Sequence, residues 1–170
     1  MTCKKCGMPE IALSTPQYHY LESGLKNIYL APALLITCER CFTKRAEINN
    51  LTLLNITIAE SILLKPFALS GAEITFLRKN LNYSINYWAE LLHLEVETLV
   101  ALENDEQPIT PQFDLLIRLF YVRLLEEISS QTITIKLIDK FAQIDFNSQD
   151  NSIILINLDT PPKYYYLQPS

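Results

Sequence analysis

Apolar positions along this chain change period as it runs. Around Tyr18 to Leu21, Lys26 to Leu30 and Leu34 to Thr37 they come in short runs punctuated by Pro16, Gly24 and Pro32, which predicts small strands. From Asn50 toward Lys65 the period becomes helical. Leu51, Leu54, Ile58 and Ile62 form the stripe, and Pro66 ends it. Ser70 and Glu73 then make an S-x-x-E capping box, in which two side chains reciprocally satisfy exposed backbone N–H groups. The helix it opens is expected to bury Ile74, Leu77 and Leu81. Ser84 caps a second helix carrying Trp88, Leu91 and Leu92, and a third starts near Glu95 and buries Leu99 and Leu102. Thr110-Pro111 reads as an N-cap followed by proline at the first helical position. It opens a long amphipathic helix with Phe113, Leu116, Ile117, Phe120, Leu124 and Leu125 inward.

The last stretch is less uniform. Thr132 to Leu137 alternates like a strand, yet Ile133, Leu137, Phe141 and Ile144 also form a helical stripe, and a helix is the expectation. Ile153 to Leu158 reads as a strand, and Pro161-Pro162 opens a tyrosine-rich tail for which no order is expected. The chain is therefore read as α+β. A small zinc-ribbon-like β module with a trailing helix occupies residues 1–65, an all-α unit residues 66–128, and a short C-terminal extension residues 129–170. With nearly half its 170 residues apolar and only three glycines, the chain has ample material for a core. No apolar run approaches bilayer length, so no membrane association is expected.

Every thiol falls in a pair. Cys3/Cys6 and Cys38/Cys41 are two CxxC turns, and the chain holds no other cysteine. A two-residue spacer lets one tight turn aim two thiolates at one ion, and two such turns close a tetrahedron, the signature of structural Zn2+. Gly7 relaxes the backbone where the first turn bends back. Disulfides would need a secreted chain, but Met1-Thr2-Cys3 has no signal-peptide core before it. A thioredoxin-like motif would need a strand ahead of Cys3, and unconnected buried thiols would not explain the spacing. A reducing cytoplasm is the expected address, because thiolates stay free there to hold metal. Four thiolates leave no open position for water. Neither His19 nor His93 has an evident catalytic partner, so no enzyme is expected.

A helix-turn-helix template fits Ile85 to Asn104. Ala89 is the small residue at the crossing, Trp88, Leu92, Leu94, Leu99 and Leu102 take the apolar positions, and His93 stands where the turn goes to positive φ. Several segments in order then carry a family likeness. They are Cys3-x-x-Cys6-Gly7, Glu22 to Leu30 (ESGLKNIYL), Cys38-x-x-Cys41, Leu69 to Lys79 (LSGAEITFLRK) and Arg118 to Tyr121 (RLFY). Across roughly residues 1–125 the chain resembles the YgiT/MqsA-type family of zinc-finger plus helix-turn-helix proteins, whose helical part is similar to the Cro/C1 class of repressors. The resemblance implies a homodimeric transcription regulator that binds operator DNA. It also implies an antitoxin role, in which the N-terminal part neutralises an RNase toxin.

Charge complicates that expectation. Up to Lys65 seven basic residues oppose five acidic ones, whereas from Pro66 onward seven oppose fourteen. Between Lys79 and Arg118 there is no lysine or arginine, but there are Glu90, Glu95, Glu97, Glu103, Asp105, Glu106 and Asp114. Two like charges about 8 Å apart repel by roughly 2 kcal/mol at an effective dielectric constant of 20. Family members carry glutamine just after the capping serine of the motif, where this chain has Ile85. Candidate DNA-contacting residues are Ser84 at the motif's start and Glu95, Val96 and Thr98 on the recognition helix. Arg78, Lys79, Arg118 and Arg123 flank the motif as phosphate contacts. The alternative is a degenerate helix-turn-helix that serves as a protein-interaction or dimerisation surface without reading DNA.

Overall fold

The computed structural model describes residues 2–129, 140–148, 150, 152–158 and 163–167. The chain is α+β and divides into two compact units, one of residues 1–57 with 152–170 and one of residues 58–151.

The first unit holds two small sheets. In one, β4 (Ala33–Cys38) is central, pairing antiparallel with β1 (Glu10–Thr15) and with β5 (Lys44–Ala46). The register runs from Glu10 opposite Cys38 to Thr15 opposite Ala33. The other sheet has the order β2 (Tyr18–His19), β3 (Ile28–Leu30), β6 (Ile153–Asn157), β7 (Lys163–Leu167). Strand β6 lies parallel to β3, with Ile28 opposite Ile154 and Leu30 opposite Ile156. All four of these side chains are buried, as are Tyr20, Leu25, Ala33 and Ile36. Alternation along β6 puts Ile154 and Ile156 inward, as the period of a pleated strand requires.

Helix α1 (Leu51–Leu64) begins in the first unit and ends in the second. Asn50 starts it, its side-chain oxygen accepting from the Leu53 N–H. In the second unit α2 (Gly71–Asn80) opens with the complete Ser70/Glu73 capping box. It is followed by α3 (Ile85–Leu91), whose N-cap Ser84 accepts from the Tyr87 N–H, and by α4 (Val96–Glu103). Helix α5 (Pro111–Ser129) closes the unit, Thr110 accepting from the Phe113 N–H. Ile58, Ile62, Leu63, Ile74, Leu77, Trp88, Ala89, Leu92, Leu99, Leu102, Ile117, Tyr121, Val122 and Leu125 form the core of this unit.

Several expectations change. Strands β1 and β5 were not evident from the pattern. β1 leaves Ile11 and Leu13 exposed, so it carries no inward alternation, and β5 is mostly charged. The tail after Pro162 forms β7 on β6, because strand pairing satisfies its backbone. Within the stretch expected as a C-terminal extension, Ile153–Asn157 forms β6, which completes a sheet with β3. Leu51 and Leu116 are exposed rather than inward, and Leu81 is half-buried. Helix α5 instead buries Asp114, Ile117, Arg118, Tyr121, Val122 and Leu125. Most of the 132–144 stretch lies outside the described residues, and Lys140 to Ile144 forms a hydrogen-bonded turn. Among the described residues no helix is long and apolar enough to cross a membrane.

Candidate functional site

The two CxxC turns fold in the same way. In the first, the Gly7 N–H donates to the Cys3 carbonyl at 2.8 Å and the Cys3 N–H donates to the Met8 carbonyl at 2.8 Å. In the second, the Phe42 N–H donates to the Cys38 carbonyl at 2.9 Å and the Cys38 N–H to the Thr43 carbonyl at 3.1 Å. Each turn places its fifth residue at positive φ, 73° at Gly7 and 56° at Phe42. β4 ends at Cys38 and pairs with β1, whose Glu10 lies opposite it just beyond the first turn. That pairing joins the turns.

The four sulfurs consequently converge. Cys3 and Cys41 Sγ atoms lie 3.5 Å apart, Cys6 and Cys38 Sγ atoms 3.4 Å, and all four fall within 4.8 Å of one another. A tetrahedral ion with metal–sulfur bonds of about 2.3 Å needs sulfurs about 3.8 Å apart, so the set fits. Cys3, Cys6, Cys38 and Cys41 can hold a metal ion. Cys3 and Cys38 are buried and Cys6 and Cys41 half-buried, and among the described residues no fifth His, Cys, Asp or Glu joins the cluster. Without metal the thiols differ. The Thr43 hydroxyl, then its backbone N–H, draws Cys41 down to about 6, outweighing desolvation. At Cys6 the Met8 backbone pulls downward, but hydrogen bonding to Cys38, desolvation and the other thiols push it up to about 12. Metal binding therefore releases protons, and it weakens as pH falls. His19 is not part of the cluster. Its ring stacks on Tyr29 at 4.5 Å, and its Nε2 lies 2.7 Å from the Lys26 carbonyl.

In the second unit α3 and α4 form the expected helix pair. Ala89 is buried at 1% exposure, His93 takes φ 53°, and the Leu94 N–H donates to the Ala89 carbonyl at 2.9 Å. Of the four cations expected to meet phosphate, Arg78 and Arg118 are committed elsewhere and Arg123 is exposed. Arg118 is fully buried, a correction to its placement as a surface contact. Its guanidinium donates to Asp114 and to the carbonyls of Ile62, Leu63, Lys65 and Phe67, so it caps the C-terminus of α1. Arg78 donates from Nε and Nη2 to the two Glu103 oxygens, each at 2.7 Å, which raises its pKa, and from Nη1 to the Tyr83 carbonyl. Lys79 is exposed. On the helix pair, Ser84 is exposed and spends its hydroxyl on the cap; Glu95 and Glu97 are exposed, and Val96 and Thr98 half-buried. Asp114 is buried rather than part of the acidic surface.

Sequence reasoning missed a buried ionic cluster beside this unit's helix ends. Lys65 Nζ donates to Glu73 at 2.6 Å and to Asp150 at 3.1 Å, and Asp114 accepts from the Leu69 N–H at 2.7 Å. The i,i+4 spacing of Asp114 and Arg118 was the available signal. The chain matches no family profile, no characterised protein and no solved structure.

Proposed function

We propose that this chain is a zinc-stabilised regulatory protein of the kind its YgiT/MqsA-type resemblance implies. In this proposal the zinc-ribbon-like N-terminal module owes its fold to the ion. The helix-turn-helix pair serves as a protein-contact surface, for a second copy or a toxin-like partner, instead of a DNA reader. One observation carries the second part. The outward residues Glu95 and Glu97 are exposed acids, while of the four cations that flank the motif Arg118 is interior and Arg78 is paired with Glu103, which leaves Lys79 and Arg123 exposed. A phosphate backbone meeting that face would be repelled, and the ordinary polar contact on the helix, Thr98, is half-buried.

A second reading, specific operator binding, is favoured by the intact α3–turn–α4 geometry with its Ser84 cap and left-handed His93. Duplex from the region upstream of its own gene separates the two. The proposal expects no sequence-specific shift even at low salt, and roughly one zinc per purified chain. Tight binding that weakens steeply with salt would overturn it in favour of the regulator that reads DNA. Replacing Glu95 with Gln and Glu97 with Arg should confer duplex affinity if charge alone blocks docking.

A further inference from the structure

The two metal-binding turns make the same hydrogen bonds, yet they differ where the backbone turns left-handed. The first uses Gly7 at φ 73°, a conformation that costs glycine nothing. The second puts Phe42 at φ 56°, a region that bulky side chains seldom occupy. No packing offsets that strain, because Phe42 is 74% exposed, more than any other large apolar residue described. An aromatic ring held out into solvent on a strained backbone points to a contact made with something else.

Its neighbours say what. Lys4 and Lys5 are the two middle residues of the first turn, Arg40 is one of the two in the second, and Lys44 opens β5 just beyond Phe42. All four are exposed, and none has an ion-pair partner among the described residues; Arg45, in contrast, donates to Glu10 at 3.1 Å. Glu39 is the exposed acid of the second turn, and zinc held by four thiolates carries about two negative charges. The four cations exceed those three charges, and their side chains reach outward while the thiolates lie at the root of the turns.

We infer that this tip binds single-stranded nucleic acid, with Phe42 stacking on an unpaired base and Lys4, Lys5, Arg40 and Lys44 meeting the flanking phosphates. An exposed aromatic set among cations is the arrangement by which strands are held without sequence reading, and stacking requires a base free of its pair. A protein partner is less suited, since lysine is depleted at the centre of protein interfaces. The residues of this tip belong to the first unit and α3 and α4 to the second, so its test is independent of the role proposed for the helix pair.

The test is fluorescence anisotropy of labelled oligothymidylate and oligouridylate with the metal-loaded full chain. Binding should weaken about 50-fold between roughly 50 and 200 mM salt if four phosphates are engaged. Phe42→Gly should weaken binding about tenfold while bound zinc is retained and thermal stability is equal or higher, since glycine suits φ 56° better. Phe42→Trp should retain binding, and Lys4→Glu with Lys5→Glu should flatten the salt dependence. Absence of strand binding at the lower salt, unchanged affinity in Phe42→Gly, or equal affinity for a duplex of the same length would each overturn the inference. Phe42-dependent capture of a protein, without strand binding, would assign the tip to that partner instead.

Discussion

At Gly71 the first turn of α2 meets the last turn of α4 with no room for a side chain. A Cβ there would lie 2.4 Å from the Glu103 carbonyl oxygen and 2.6 Å from that of Leu102, both backbone atoms that cannot swing aside. The approach is fastened by the Gly71 N–H, which donates to Asp105 Oδ1 at 2.6 Å, and by the double Arg78–Glu103 bridge about two turns further along α2. Gly71→Ala should therefore destabilise the helical unit by about 1–3 kcal/mol through overpacking. Trp88 is the only tryptophan and is fully buried in that unit, so its fluorescence in a urea titration reads the loss directly. An unchanged midpoint would mean that α2 and α4 do not approach this closely.

At the scale of elements, helix α5 shows how a sequence pattern can be legible yet displaced. Its apolar residues suggested a face of Phe113, Leu116, Ile117, Phe120, Leu124 and Leu125, but Leu116 is 40% exposed and the buried face is Asp114, Ile117, Arg118, Tyr121, Val122 and Leu125. The offset has a chemical cause. Asp114 and Arg118 read as polar in sequence, and burying them as a pair rotates the inward face by about one residue. Helices α2 and α3 were legible because their caps are local: Ser70, Glu73 and Ser84 bond to neighbours three residues away. Arg118 was not, because its partners are carbonyls at the distant end of α1. Arg118→Met should cost about 3–5 kcal/mol, since it leaves Asp114 buried and unpaired. Adding Asp114→Asn should recover part of that loss, because asparagine can still accept from the Leu69 N–H without carrying a charge. Denaturant midpoints of the single and double variants check this, and equal stability of Arg118→Met would return that residue to the surface.

For the whole molecule, the decisive contact joins segments from opposite ends of the chain. The cysteine cluster was legible because CxxC spacing is a local signal, whereas the pairing of β3 with β6 has none: a parallel strand can be supplied from any distance along the sequence. The Ala31 N–H donates to the Ile156 carbonyl, and Asn27 Nδ2 to the Ser152 carbonyl, so the C-terminal strand is tied to both ends of β3. After Ala31 and Pro32 the chain enters β4, which ends at Cys38 in the four-cysteine cluster. The first unit's sheets are small, and an ion held by the four cysteines would supply stabilisation that so limited a core lacks. Removing such an ion with a chelator leaves thiols crowded within 4.8 Å and only the short β1–β4 pairing to hold the two turns together. Amide exchange should then accelerate in β1, β4 and β5, and also in Ile153–Asn157, although that strand contributes no ligand. Trp88 emission should stay constant over the same titration, because the second unit encloses its own core. Loss of protection confined to residues near the cysteines would show that β3 and β6 stand without the metal. A simultaneous shift of Trp88 would show instead that the ion supports the helices as well.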